Sequence, residues 1–161
     1  MLETERLGLR PVEHADIGPW AAFLADPQAT RLLHFPEPHS RDEAKAVLDR
    51  TIARADGAVA MYAARLRDDG ATVGFVGYSP RVVEASAEIE LGWLLLPQFH
   101  RRGYATEAAL AVRRLVPGRV IARIRVENDA SKNVARKVGM TPEREIEFAG
   151  FRTDLFASAS P

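Results

Sequence analysis

Apolar and polar positions alternate from Leu7 to Val12, the pattern of a half-buried strand, with Pro11 near its end. The period then lengthens: Ile17, Trp20, Ala21 and Leu24 fall on one face at helical spacing, with Asp16 placed to cap or lead the helix. Asp26-Pro27 ends that pattern, and Arg31 to His39, with two prolines and two histidines, reads as a loop. Ser40 followed by Glu43 is a capping box; Ala44, Val47, Leu48, Thr51 and Ile52 stripe the helix behind it, and Gly57 closes it. Val59 to Leu66 and Thr72 to Val76 read as strands around the turn Asp68-Asp69-Gly70, the later one continuing through Tyr78 until Pro80 interrupts it.

Ala87 to Leu96 is the fourth strand. A basic loop follows Pro97, and Thr106 to Leu115 carries a helical pattern of alanine and leucine. Val120 to Val126 alternates as a fifth strand, Asn128 to Met140 is a helix stopped by Gly139, and Glu143 to Phe148 with Phe151 to Phe156 form a closing hairpin around Gly150. The tail, Ala157 to Pro161, is expected to fray. This order predicts one domain over residues 1–161. It is a mixed α/β sheet of about seven strands with about four helices on both faces, and not a doubly wound parallel fold.

Strands four and five each lead into a helix, so they can run parallel and bring both helix N-termini to one edge. The unpartnered amides and positive dipole end of such a helix stabilise an anion. Gly103 permits a tight turn and close approach of a ligand, and Arg101 and Arg102 add two permanent cations. The loop lacks the Gly-Lys-Ser/Thr of a Walker loop and the three spaced glycines of a dinucleotide fingerprint. A plain turn is the alternative; the ligand reading to test is a phosphate compound other than ATP or NAD.

Charge sharpens this picture. The net charge is zero, yet residues 98–137 hold ten Lys or Arg against three Asp or Glu, while the remainder holds twelve against nineteen. That asymmetry fits scattered solvated faces, or a basic half for a polyphosphate and an acidic half for a cationic amine. It is too balanced for a nucleic-acid surface. With no cysteine there is no disulfide, thiolate nucleophile or cysteine metal site, and the four histidines lack metal spacing. No apolar run is long enough to span a bilayer, and the charged start MLETERLGLR does not resemble a signal peptide; a cytoplasmic location is expected.

Several motifs in order then resemble the GNAT superfamily of acyl-CoA-dependent N-acyltransferases, in particular the branch that includes ribosomal-protein N-terminal acetyltransferases. They are LETERLGLRPVEHAD, HSRDEA and EIELGWLLLPQFHRRGYATEA, followed by Asn128, Ser131, Val134, Lys137, Gly139 and Met140 in the branch's NxxSxxVxxKxG-[FM] pattern, with Asp154 in the final strand. The resemblance implies a GNAT fold, its mostly antiparallel sheet splayed between strands four and five, with acetyl-CoA as co-substrate in the opening and no metal. By the same resemblance, backbone amides of Arg101, Arg102, Gly103, Tyr104, Ala105 and Thr106 hold the pyrophosphate. Leu94 or Leu95 pairs with pantetheine and polarises the thioester, and Asn128 contacts the pantetheine arm. His100 and Arg101 depart from the family, which often has Gln or Arg at the first position and glycine at the second.

The residues themselves agree with direct transfer of the acyl group to an amine, since neither cysteine nor a Ser-His-Asp set is present to carry it. Glu90 is the candidate base, with Glu88 on the same strand face; solvated or ion-paired carboxylates are the alternative. Ser131 matches a serine near the CoA sulfur, although Asn128, Asp129 and Ser131 are also good helix caps. Val134 stands where other branches place a tyrosine acid. The activity implied is acetyl-CoA-dependent N-acetylation of a primary amine, a protein or peptide N-terminus somewhat favoured. The alternatives are a small-molecule acetyltransferase (amino acid, polyamine or aminoglycoside-like) and an acyl-CoA-binding regulatory module. A monomer or a homodimer is expected.

Overall fold

The computed structural model describes residues 1–159. An eight-stranded sheet has β1 (Leu2–Glu3), β2 (Leu7–Pro11), β3 (Ala60–Leu66), β4 (Thr72–Val83), β5 (Ser86–Leu95), β6 (Ile121–Arg125), β7 (Met140–Phe148) and β8 (Phe151–Ser158). Their order across the sheet is β1-β2-β3-β4-β5-β6-β8-β7, antiparallel throughout except at β5 and β6. Helices α1 (Ile17–Ala25), α2 (Pro27–Thr30) and α3 (Arg41–Ala53) precede β3, α4 (Tyr104–Arg113) joins β5 to β6, and α5 (Asp129–Lys137) follows β6.

Each face of the sheet has its own core. Alanines and Val112 on α4, with Ala135 on α5, close over Leu7, Leu9, Val76 and Leu91; the small side chains let the helices approach the strands. On the opposite face Trp20, Phe23 and Leu24 of α1 and Ala44 and Leu48 of α3 cover Ala63, Phe75 and Leu96. The α3 capping box forms as the sequence predicts, Ser40 N donating to Glu43 at 2.8 Å and Glu43 N donating to Ser40 Oγ at 3.3 Å. Gly70 (φ 72°) and Ala149-Gly150 (φ 52° and 79°) make the tight turns of the two predicted hairpins.

The differences have local causes. A two-residue β1 adds an eighth strand, too short to show a period. Pro27 starts the four-residue α2 instead of ending helical structure, with Asp26 Oδ1 accepting from Gln28 N at 2.7 Å. Pro80 does not interrupt β4: β3 pairing stops at Ala60 opposite Tyr78, so the missing amide hydrogen of Pro80 has no strand to meet on that side. Asp16 stands at the N-cap position of α1, but its carboxylate takes Arg10 through two 2.8 Å hydrogen bonds instead. The α5 helix stops at Lys137 and Met140 opens β7. In the tail, Ala157 and Ser158 are not frayed, because they pair with Ile121 and Met140; Ser160 and Pro161 lie outside the described residues.

Candidate active site

Strands β5 and β6 meet in parallel register at Glu90 and Ile121 and then diverge, because α4 and α5 must both pack behind them. The gap is a cavity of about 890 Å³. Trp93, Leu94 and Leu95 of β5, the start of α4, and Asn128, Ser131 and Val134 line it, with Phe23 and Leu33 at the far side of the sheet. Leu96 N donates to Val73 O at 3.0 Å, so antiparallel alternation directs the backbone groups of Leu94 toward β4 and those of Leu95 into the gap. Of the two leucines expected at the cofactor, Leu95 therefore offers its backbone, and Leu94 its side chain. His100 Nε2 donates to Leu95 O at 2.9 Å and ties the end of β5 to the loop.

The loop after β5 has a cradle geometry. Arg101 (φ 60°) and Gly103 (φ 83°) are both left-handed, and no side chain caps α4. Its first amides therefore open on the cavity beside Gly103, Tyr104, Ala105 and Thr106. The Arg101 side chain lines the same space. Arg102 does not: it is exposed, and its carbonyl accepts from Arg6 Nη1 at 3.0 Å. Arg6 also stacks over the Tyr104 ring, 4.6 Å from its centre, so Tyr104 braces the loop from beneath.

Asn128 caps α5, its Oδ1 accepting from Ser131 N at 3.1 Å. The side chains of both residues still line the cavity, so capping and ligand contact are compatible. Asp154 pairs with Lys132 at 2.7 Å and holds α5 to β8.

Glu90 lies outside this cavity. Its oxygens accept from Arg123 Nε and Nη2, both at 2.8 Å, and from Arg81 Nε at 3.0 Å. Burial acts to raise its pKa, but the hydrogen bonds and charges of Arg123 and Arg81 outweigh that and hold the carboxyl below its ordinary range. A carboxylate so stabilised is a weak proton acceptor, which speaks against the expected base role. Glu88 is likewise ion-paired, to Arg119 at 3.2 Å.

His34 follows Leu33 of the cavity wall, does not itself line the cavity, and lies close enough to feel the charges of Glu90 and Arg123. His34 Nε2 is 2.9 Å from Thr153 Oγ1, and that hydroxyl donates its one hydrogen to Phe151 O at 3.0 Å. That network assigns the proton to Nε2 and the lone pair to Nδ1. Burial first, then the charges of Arg123 and Arg125, lower the His34 pKa below the usual imidazole value against the opposing pull of Glu90 and Glu127. The ring packs edge-on against Phe148, 5.0 Å between centres. The place of His34 in the Arg31 to His39 loop lets the sequence suggest a histidine at a substrate entrance or one that is merely solvated; nothing local ties it to Thr153, 119 residues away.

Residues 6–141 match the acetyltransferase (GNAT) domain, and the chain belongs to this family of acyltransferases. The uncharacterized N-acetyltransferase YnaD of Bacillus subtilis (strain 168) is 29% identical over 149 residues, 88% of this chain and 83% of that protein. The acetyltransferase from Agrobacterium tumefaciens str. C58 superposes with a TM-score of 0.81 at 26% identity, over 99% of this chain and 94% of that one. The ribosomal L7/L12 α-N-protein acetyltransferase RimL, solved with coenzyme A, has the same fold with a TM-score of 0.76 at 20% identity, covering 96% and 93%.

Proposed function

We propose that this acyltransferase transfers an acetyl group from acetyl-CoA directly to a primary amine, with a peptide or protein N-terminus the favoured acceptor. The observation that carries this reading is the gap between β5 and β6, open on one side to the uncapped start of α4 and on the other to the face of α1 and α2. A pyrophosphate at α4, a pantetheine arm along Leu95 and Asn128, and a thioester in the gap would use each feature. RimL, a protein N-terminal acetyltransferase by name and solved with coenzyme A, supports both the donor and the acceptor class.

In this mechanism the Leu95 amide polarises the thioester carbonyl and the Ser131 hydroxyl meets the departing sulfur. His34 Nδ1, directly or through water, takes the proton of the acceptor ammonium. The amine attacks the thioester carbon, the C–S bond breaks, and the sulfur leaves as thiolate to be protonated. Thiol release from acetyl-CoA, followed with a pool of free N-terminal peptides and a pool of small amines, tests the reading. Release with peptides is expected; release only with small amines would replace the acceptor class, and silence with both would leave acyl-CoA binding without turnover.

A further inference from the structure

The β5 face that carries Glu90, Gly92 and Leu94 runs from the large cavity into a second one of about 250 Å³. Gly77 and Gly92, in register across β4 and β5, belong to its lining, together with Arg50, Thr51 and Arg54 of α3 and with Tyr78 and Arg81. The two glycines differ. A Cβ on Gly77 would lie 2.2 Å from Ala60 O, so backbone crowding accounts for it; a Cβ on Gly92 would meet nothing within 4 Å. Gly92 has no positive φ and sits in a central strand, where glycine loses backbone entropy and packs nothing, yet it is exposed. A strand glycine with no local cause leaves room for something to approach the backbone.

The surrounding charge says what that is. Arg81 is engaged by Glu90 at 3.0 Å, and Asp49 on α3 is engaged by Lys45 and His14. Arg50 and Arg54, one turn apart at the end of α3, form no ion pair among the described residues. Like charges at this spacing repel, and the dipole at the helix C-terminus offsets part of that. The second cavity thus keeps two uncommitted guanidinium groups beside an empty stretch of strand that leads to the gap.

Resting on the function proposed above, we infer that the acceptor lies across Gly92 with its amine at the gap, and that Arg50 and Arg54 bind a carboxylate of the same acceptor. Glu90 to Leu94 spans about 13 Å at ~3.3 Å per residue. An amine at the Leu94 end and a carboxylate at the α3 end are then too far apart for the two ends of a free α-amino acid. They match the N-terminus of an extended peptide and an acidic side chain at its second or third residue: two to three residues cover ~7–11 Å, and the acidic side chain and the long arginine stems cover the rest.

The test compares tetrapeptides with a free N-terminal serine and Asp at the second or third position against the same peptides with Asn. Assays use acetyl-CoA for turnover and CoA for equilibrium binding. For the wild type, kcat/KM at least tenfold higher with Asp is expected. In the Arg50→Gln, Arg54→Gln double variant that ratio falls to within about twofold. Gly92→Val, whose added carbons enter open space, raises the acceptor KM at least tenfold with either peptide, while acetyl-CoA still binds. No Asp preference in the wild type, or the same preference in the double variant, overturns the inference. If no peptide is turned over, the N-terminal acetyltransferase reading fails separately. Binding to the CoA complex then decides: an Asp preference abolished by the double variant supports the site, and equal binding refutes it.

Discussion

Arg6 and Glu107, 101 residues apart, are joined through both backbone and side chain: Arg6 N donates to Glu107 Oε1 at 2.8 Å and Arg6 Nε to Oε2 at 2.7 Å. Thr4 Oγ1 donates to the same carboxylate. The turn before β2 is thereby fastened to the first turn of α4, and the Arg6 guanidinium continues to Arg102 O and the Tyr104 ring. The loop proposed to hold the pyrophosphate is fastened from outside by a residue that does not line the cavity.

Glu107→Gln or Arg6→Ala is therefore expected to raise the KM for acetyl-CoA about five- to tenfold with a smaller effect on kcat. That is the ~1 kcal/mol scale of a charge-assisted hydrogen bond partly screened by solvent. The clamp has an acid limit. Burial tends to raise the Glu107 pKa, but the bonds from Thr4 and Arg6 bring it below its ordinary value. A depressed carboxyl adds stability above its unfolded pKa, about 4.3, and loses it as pH falls through the folded value. Thermal melting of wild type and Glu107→Gln from pH 7 to pH 3 should show the gap between them closing below about pH 4.

Arg101 sits at φ 60°, a conformation that costs a residue with a Cβ roughly 1–2 kcal/mol. Arg101→Gly removes that strain at the expense of about 0.5–1 kcal/mol of backbone entropy. Melting temperature is expected to rise by about 1–3 °C while acetyl-CoA affinity falls severalfold, because one cavity cation is gone. A calorimetric scan and a ligand titration on the same variant would check the opposite signs; a lower melting temperature would show that the arginine is held there by contacts that outweigh the strain.

His34 and Glu90 separate in their pH behaviour. If Nδ1 accepts the proton, His34→Gln lowers kcat/KM by about 10²-fold at pH 7 and removes the acid limb of the pH profile. That limb should lie below the ordinary imidazole value of about 6.5, since the His34 pKa is lowered. Glu90→Gln should leave the limb in place. It should instead destabilise the fold by roughly 2–3 kcal/mol, because Arg123, 10% exposed, loses its bidentate partner. A limb that vanishes with Glu90→Gln and survives His34→Gln would return the base role to the carboxylate.

Asn128 and Ser131 divide capping from chemistry. The Asn128 side chain caps α5, whereas Ser131 contributes its backbone amide to that cap. Asn128→Ala is expected to cost about 1 kcal/mol of stability and to weaken acetyl-CoA binding. Ser131→Ala should stay within about 0.5 kcal/mol of wild type and lower kcat, which denaturant melts paired with steady-state kinetics would resolve. Equal kcat in wild type and Ser131→Ala would reduce the serine to a cavity wall.

Local chemistry determined much of this protein before any contact was known. The capping box at Ser40 and Glu43, the Gly70 and Gly150 turns, and the shift from period two to helical period on either side of Gly103 are written in neighbouring residues. Such features depend on backbone propensity and on which face is apolar, so a one-dimensional pattern carries them. The ion pairing that holds Glu90 anionic was not legible, because Arg81 and Arg123 stand 9 and 33 residues away and meet it only once the sheet is assembled. The tautomer of His34 depends on Thr153, the cradle on Arg6, and the open space over Gly92 on where α3 comes to rest. Position along the strand could nominate a carboxylate, but its basicity belongs to the charges that tertiary folding sets around it.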